Sequence, residues 1–328
     1  MNPLLSVRNL TKSFAAAQGP LGGQEQRFRA VDNISFDLAP GETLGLVGES
    51  GCGKSTTGRL ILRLLEADSG AVFFHNEDLV PMGQKELRPR RRQMQMIFQD
   101  PFSSLNPRCK IGDIVAEPLL IHGLATPATV KDLVIDLLAT VGLGSDILER
   151  YPHEFSGGQR QRIGIARALA VKPELIIADE PVSALDLSIQ AQVINLLDDI
   201  QQQFGLTYLF ISHDLSVVEH LCKRVAVMYL GRIIEIAPAI ELYRAPFHPY
   251  TEALLQAVPR PIPGRQHKRI LLQGEIPSPL SPPAGCHFHP RCIYAQSICR
   301  ELSPVLLEHD PARFAACHFA GEFSRNLA

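Results

Sequence analysis

The most distinctive residues of the sequence form a glycine-rich stretch that could hold a phosphate group. GESGCGKST, residues 48–56, fits G-x-x-x-x-G-K-[ST], follows the apolar run TLGLV and leads into GRLILRLL. In such a loop backbone N–H groups converge on phosphate oxygens, Lys54 reaches the terminal phosphates, and the Ser55 hydroxyl can ligate Mg²⁺. The residues that we expect to contact a nucleotide are Gly48, Ser50, Gly51, Gly53, Lys54, Ser55 and Thr56.

A second stretch supplies the carboxylates that metal-assisted phosphoryl transfer needs. LIIADE is an apolar run that ends in Asp179 and Glu180. One carboxylate at the end of a strand can approach the metal ion, and the next can act on the attacking water. A pair of solvated acids after a strand is the alternative, and the phosphate loop elsewhere in the chain disfavours it.

Four of the seven cysteines crowd the C-terminal fifth of the chain, and we call them the four C-terminal cysteines: Cys286, Cys292, Cys299 and Cys317. In a reducing compartment such a cluster points to metal rather than to disulfides. The spacing C-x5-C-x6-C-x17-C matches none of the common zinc-finger patterns. A [4Fe–4S] cluster, Zn²⁺ and free packing thiols therefore all stay open, and His287, His289 and His318 could share in ligation.

The hydrophobic pattern predicts the scaffold that positions these residues. TLGLV, LIIAD, YLFIS and VAVMYL are short apolar runs bounded by polar residues or glycine, which is typical of strands buried on both faces. Helical patterns lie between them, so we expect an α/β protein with a parallel sheet. SVRNLTKSF and RAVDNISFDL predict an additional hairpin, and the segment from about 100 to 172 predicts a helical subdomain. The proline-rich tail after 260 lacks long helical patterns and needs something else to hold it together.

Composition and charge exclude some function classes. The net charge of −2 gives no bulk reason to bind nucleic acid, and we interpret the one basic cluster, RPRRR at 88–92, as a solvated loop. The N-terminus lacks the pattern of a signal peptide, and nowhere do eighteen apolar residues run together. We therefore expect a cytoplasmic chain whose membrane role, if it has one, goes through partners.

FSGGQRQR, residues 155–162, separates this chain from kinases and small GTPases. FSGGQ resembles the signature motif of ATP-binding cassette (ABC) ATPases, and the other family motifs follow over roughly residues 4–260. Gln99 resembles the Q-loop glutamine, SALD at 183–186 the D-loop, and His213 the switch histidine, while Phe14 stands where the family has an aromatic residue that stacks on adenine. The resemblance implies a RecA-like sheet core, an antiparallel β subdomain and a helical signature subdomain.

The resemblance also implies the roles of these residues in ATP hydrolysis. Mg²⁺ is held by Ser55 with Gln99 and Asp179 close by, and it neutralises the phosphates together with Lys54. The catalytic residues that it implies are Glu180, which polarises the attacking water, His213, which supports the γ-phosphate, and Gln99.

The signature is expected to act on a second cassette, because in this family the signature of one subunit closes over the ATP held by the other. Ser156 is a natural N-cap, and Gly157 and Gly158 leave backbone N–H groups uncovered at the positive end of a helix. We therefore expect an anion site rather than a packing motif. The cofactor-binding residues expected in this part of the chain are Ser156, Gly158, Gln159 and Asp186.

The C-terminal part points to transport. APFHPYTEALLQAVP and GEIPSPLSPPAGCHFHPRC resemble the ATPase subunits of bacterial dipeptide, oligopeptide and nickel importers, above all the second ATPase of dipeptide importers. This implies a cassette at 1–260 and a C-terminal extension at 261–328, which in related subunits carries a [4Fe–4S] cluster. It also implies two permease subunits that meet the segment DPFSSLNPR, a second and paralogous ATPase, an indirect substrate-binding protein, and a place at the cytoplasmic face of the inner membrane. A nickel or other solute importer, a soluble ABC protein without a permease, and a P-loop kinase are the alternatives.

Overall fold

The computed structural model of the chain describes residues 2–16, 26–100, 104–257 and 274–322. The hairpin strands and the apolar runs named above all form strands. In chain order the strands are β1 (Leu5–Ala15), β2 (Arg27–Leu38), β3 (Thr43–Val47), β4 (Ser69–Phe74), β5 (Glu77–Asp78), β6 (Met94–Ile97), β7 (Leu175–Asp179), β8 (Thr207–Ser212), β9 (Arg224–Tyr229), β10 (Arg232–Pro238), β11 (Leu307–Asp310) and β12 (Arg313–Ala315).

Helices separate most of these strands. In chain order they are α1 (Lys54–Ile61), α2 (Gln84–Gln93), α3 (Ile111–Ile121), α4 (Val130–Thr140), α5 (Gly157–Leu169), α6 (Leu187–Phe204), α7 (Leu215–Leu221), α8 (Ala239–Arg244), α9 (Pro249–Ala257) and α10 (Ser297–Glu301). Short 3₁₀ turns lie at Ser145–Ile147, Pro152–Glu154 and His289–Arg291.

The chain divides into two compact units. Unit 1 comprises Met1–Leu38, Thr43–Val80 and Ser212–Ala328, and unit 2 comprises Ala39–Glu42 and Pro81–Ile211. Unit 1 contains an antiparallel sheet in the order β2-β1-β4-β5, in agreement with the predicted hairpin. It also contains β9 between β3, which is parallel to it, and β10, which is antiparallel.

Unit 2 contains the predicted parallel strands and helical segment. β7 lies between β6 and β8, and both neighbours run parallel to it. Every residue of β7 and β8 is buried, as expected for strands covered on both faces. Helices α3, α4 and α5 occupy the segment for which a helical subdomain is predicted, and α6 buries Val193, Leu197 and Ile200 before it ends at Gly205.

The C-terminal segment is held by more than local structure. β12 pairs with β10 through Glu235–Ala315 and Ile236–Phe314, and so continues the strand order of unit 1. Phe288 is 2% exposed, and its ring packs against the rings of Tyr229 and Tyr250 with centroids 5.4 Å apart in each pair. Within 274–322 the tail is therefore held by strand pairing and by packing of Phe288 against aromatic residues of β9 and α9.

The basic cluster is helical, and the expectation of a solvated loop is wrong. Residues 88–92 lie in α2, where Arg88 and Arg92 donate hydrogen bonds to the carbonyl oxygens of Ile121 and Val171. These arginines connect α2 to the last residue of α3 and to the loop after α5. Sequence composition alone does not reveal such contacts. Across the described ranges no helix combines the length and hydropathy that a membrane crossing requires.

Candidate nucleotide site

The phosphate loop connects β3 to α1 in unit 1, which is the strand and helix context that the motif requires. Gly48 has φ of 154° and Gly53 has φ of 107°, a region that residues with a Cβ rarely adopt. A Cβ would lie 2.2 Å from the Met228 carbonyl oxygen at Gly48 and 2.0 Å from that of Ala30 at Gly53. Both glycines are thus required by backbone conformation and by the close approach of neighbouring backbone.

Lys54 begins α1 and is held inside the loop. It is only 4% exposed, and its Nζ donates hydrogen bonds to the carbonyl oxygens of Gly48, at 2.8 Å, and Glu49, at 3.1 Å. Burial raises the pKa of the neighbouring Cys52 thiol, which favours a small packing residue over a reactive group. The loop therefore holds one cationic side chain at its own backbone, with Ser50 and Gly51 exposed beside it.

Gln99 and Glu180 lie together in unit 2. The Gln99 amide donates a 2.8 Å hydrogen bond from Nε2 to Oε2 of Glu180, while the Glu180 N–H bonds to the carbonyl oxygen of Ile211 at 2.9 Å. Glu180 has φ of 47°, an uncommon conformation for a residue with a side chain, and Asp179 before it is 2% exposed at the end of β7. Strained backbone of this kind persists only where the surroundings determine it, and it clusters at functional sites.

The signature motif forms a capped helix start in unit 2. The Ser156 hydroxyl accepts a hydrogen bond from the Gln159 N–H, and the Gln159 side chain accepts one from the Ser156 N–H. Gly158 lies against α6, because a Cβ there would be 2.4 Å from Cγ2 of Ile189. The expectation that the signature is not a packing motif is therefore wrong for Gly158, which is buried by the close approach of α6.

The remaining predicted residues lie at element ends. In unit 1, Ser55 and Thr56 are in the first turn of α1, the exposed His213 lies between β8 and α7, and the Phe14 ring lies 6.0 Å from that of Phe28 near the ends of β1 and β2. In unit 2, Asp186 precedes α6 and its carbonyl oxygen accepts from the N–H of Ile189. Residues 101–103 of the predicted permease-facing segment lie outside the described residues.

The four C-terminal cysteines line one small cavity in unit 1, together with aromatic residues that include Phe288 and Tyr294. Burial raises the pKa of Cys286, raises that of Cys292 to about 11 and raises that of Cys317 to about 12. Within the described residues no three His, Cys, Asp or Glu side chains are arranged to hold a single metal ion. The structure thus places the four C-terminal cysteines around one cavity, as the sequence predicts. The predicted metal centre is not confirmed.

Sequence reasoning missed one ion pair at the phosphate loop. Arg291 donates two hydrogen bonds to the carboxylate of Glu49, at 2.8 and 3.0 Å, across 242 residues of sequence. Neither residue belongs to a motif that specifies the pairing, since Glu49 is a variable position of the loop pattern. The only signal was an arginine directly beside Cys292 in HPRC.

Two family models match the chain. The ABC transporter model matches residues 31–183, and the model of the oligopeptide/dipeptide transporter C-terminal region matches residues 234–299. The chain is 53% identical to the oligopeptide transport ATP-binding protein AppF of Bacillus subtilis, covering 96% of this chain and 97% of that protein. It is 54% identical to a putative peptide import ATP-binding protein of Brucella ovis, over 96% and 97% of the two chains.

Solved structures show the same fold. The ATP-binding cassette MJ0796, in a dimeric post-hydrolysis state with ADP and Pi, is 27% identical, has a TM-score of 0.64, and aligns over 72% of this chain and 98% of its own. CbiO1 of Clostridium perfringens, part of the ABC transporter complex cbiONQ, is 25% identical with a TM-score of 0.63, over 74% and 91% of the chains. The chain belongs to the family of ABC ATPases, and within it to the ATP-binding proteins that carry the oligopeptide/dipeptide transporter C-terminal region.

Proposed function

We propose that this chain hydrolyses ATP to power a membrane importer for di- and oligopeptides. The observation that carries the proposal is the full-length similarity to AppF, which extends through the C-terminal region as well as the cassette. We assign a peptide cargo because the names of AppF and of the Brucella protein describe peptide transport and peptide import. A nickel or other solute remains the second candidate cargo, because the cassette itself does not contact the cargo.

The phosphate loop binds the triphosphate of ATP, with its N–H groups and Lys54 facing the phosphate oxygens. The family resemblance implies Ser55, Gln99 and Asp179 as the residues that would hold Mg²⁺, and their hydroxyl, amide and carboxylate oxygens are of the kinds that this ion prefers. When bound, Mg²⁺ neutralises charge on the phosphates.

Glu180 is the residue that acts on the attacking water. The strained backbone of Glu180 and its hydrogen bond from Gln99 fix the orientation of the carboxylate. The carboxylate is therefore already oriented before ATP and water bind. His213 supports the γ-phosphate, and Phe14 stacks on the adenine. These roles rest on the family resemblance together with the positions of the residues at element ends.

A complete site needs a second cassette. The helix start at Ser156 offers N–H groups and a positive helix end to the γ-phosphate bound by the partner subunit, with Gly158, Gln159 and Asp186 beside it. The capping box orders this helix start, which supports a binding role for it. The dimeric state of MJ0796 with ADP and Pi supports the same arrangement by similarity.

The four C-terminal cysteines hold a [4Fe–4S] cluster whose main role is to fold the residues from about 280 onward rather than to take part in hydrolysis. Four thiols around one cavity fit a cluster better than a single zinc ion, because zinc needs all its thiolates within about 2.3 Å of one point. A cluster is bound through separate irons, so its thiolates lie further apart. Bound iron would also supply the positive charge that ionises these buried thiols.

The partners are two membrane permease subunits, a second and paralogous ATPase, and indirectly a substrate-binding protein. The chain then sits at the cytoplasmic face of the membrane as a peripheral subunit. Purification of the tagged chain from detergent-solubilised membranes, followed by metal analysis, tests this assembly. Recovery of two polytopic proteins and a second cassette chain supports it, whereas recovery with soluble partners alone supports an ABC ATPase without a permease.

A further inference from the structure

The Glu49–Arg291 pair joins the phosphate loop to residues 286–317, which contain the four C-terminal cysteines and which we call the four-cysteine segment. Arg291 ends the 3₁₀ turn His289–Arg291 and directly precedes Cys292. Its guanidinium meets both carboxylate oxygens of Glu49, and the two side chains are only 6% and 23% exposed. Bidentate, largely buried pairs of this kind are among the stronger and more directional contacts in proteins.

Glu49 is fixed at its backbone as well as at its carboxylate. Its N–H donates a 2.9 Å hydrogen bond to the hydroxyl of Tyr250, and its carbonyl oxygen accepts the 3.1 Å hydrogen bond from Nζ of Lys54. A displacement of Glu49 would therefore move a group that contacts the lysine of the phosphate loop. The carboxylate also adds a negative charge to a loop that binds a triphosphate, and Arg291 neutralises it.

The turn that presents Arg291 is built on the backbone of the cysteine segment. The N–H of His289 bonds to the carbonyl oxygen of Cys286, and the N–H of Cys292 bonds to that of His289. The N–H of Cys286 in turn bonds to the carbonyl oxygen of Cys299 at 2.8 Å. The position of Arg291 consequently depends on how the cysteine segment is folded.

We propose that Arg291 is a positioning residue through which the four-cysteine segment sets the affinity of the phosphate loop for ATP. This goes beyond a folding role for the segment, and it rests on the proposed binding of ATP by the loop. Loss of the guanidinium removes the anchor of Glu49 and leaves its charge uncompensated beside the phosphates. Both effects weaken ATP binding, and both act through Glu49.

The test measures binding of a fluorescent ribose-labelled ATP to the full-length chain in four forms: wild type, Arg291→Ala, Glu49→Ala and the double variant. We expect Arg291→Ala to raise the Kd at least about fivefold, the lower end of ordinary coupling between sites. In the Glu49→Ala background the same substitution should change the Kd less than about twofold, because its partner is gone. Cys292→Ser should raise the Kd in the wild-type background only.

Arg313→Ala is the matched control, since Arg313 is a similarly buried arginine of the same segment that bonds the carbonyl oxygen of Ala245 and stacks on Phe247. It should leave the Kd within about twofold of wild type. If Arg291→Ala fails to fold, Arg291→Lys carries the test, because lysine keeps the positive charge but cannot form the bidentate pair. Its Kd should exceed that of wild type, and the same substitution in a Glu49→Gln background should change the Kd by less than about twofold.

Two kinds of result would refute the inference, and only the second would also refute the proposed ATP site. Equal ATP affinity of wild type and Arg291→Ala, or an equal loss in both Glu49 backgrounds, refutes the positioning role alone. A wild-type chain that does not bind ATP, or that binds it no better than Lys54→Ala, refutes the proposed ATP site and this inference with it.

Discussion

Substitution of Gly158 by alanine tests the packing that the structure assigns to the signature motif. Gly158 lies in α5, and a Cβ would approach Cγ2 of Ile189 to 2.4 Å, more than 1 Å closer than carbon atoms normally pack. Because Ile189 is β-branched, its Cγ2 cannot swing away freely. Gly164 in the same helix has no neighbour within 4 Å of a Cβ, which makes Gly164→Ala a matched control.

The two substitutions should change stability in opposite directions. Alanine in an open helix position is more favourable than glycine by about 0.5–1 kcal/mol, so Gly164→Ala should raise the free energy of unfolding by that amount. At Gly158 the same gain opposes an overpacking cost of about 1–3 kcal/mol. We therefore expect Gly158→Ala to be destabilised by about 1 kcal/mol, and the two variants to differ by about 2 kcal/mol.

Urea denaturation of the full-length variants, followed by circular dichroism, gives these differences. The double variant Gly158→Ala/Ile189→Ala removes the clashing methyl group, so the alanine at 158 should cost less in that background than in the wild type. Gly158→Ala as stable as Gly164→Ala would refute the packing argument. The signature glycine would then be needed only for its access to phosphate.

Three further predictions concern hydrolysis and the extension. Glu180→Gln in the assembled complex should still bind ATP but lose turnover, and a rate within about threefold of wild type, ~0.7 kcal/mol of barrier, would contradict its role. Ser156→Arg should abolish hydrolysis by the complex while the isolated chain keeps its ATP affinity; a weaker affinity of the isolated variant would contradict action on the partner's ATP. Anaerobically purified protein should be brown with about four irons per chain, and serine at any of the four C-terminal cysteines should loosen 274–322 while the chain still binds ATP, with the higher Kd predicted above for Cys292→Ser. Stoichiometric zinc without iron would favour the second metal, and a metal-free, protease-resistant tail would exclude both.

The sequence predicted the regular parts of the fold because they depend on local pattern. Buried strands such as β7 and β8 read as continuous apolar runs, and α6 was predictable from its helical spacing and from Gly205. Phe204 continues the helical spacing of Val193, Leu197 and Ile200 in α6, yet it is 50% exposed. Periodicity identifies a face of a helix but not where its neighbours stop.

The residues of the candidate site also fall into a group that the sequence predicts and a group that it does not. Phosphate-loop residues such as Lys54 follow from a motif, since their chemistry requires a fixed spacing. The contacts that position the motifs could not be predicted, because they join distant parts of the chain: Arg291 with Glu49, Ile189 with Gly158, and Gln99 with Glu180. Such contacts depend on tertiary packing and leave no local pattern in the sequence.

The measurement that tests the central claim most directly is ATP hydrolysis by the purified complex in lipid nanodiscs, where both membrane faces are accessible. We predict that hydrolysis rises when peptide and the substrate-binding protein are added together, and that this rise is absent from the complex that carries Glu180→Gln. Stimulation by nickel instead of peptide would contradict the cargo. A rate that equals that of the isolated chain and ignores every solute would contradict the proposal that this ATPase powers an importer.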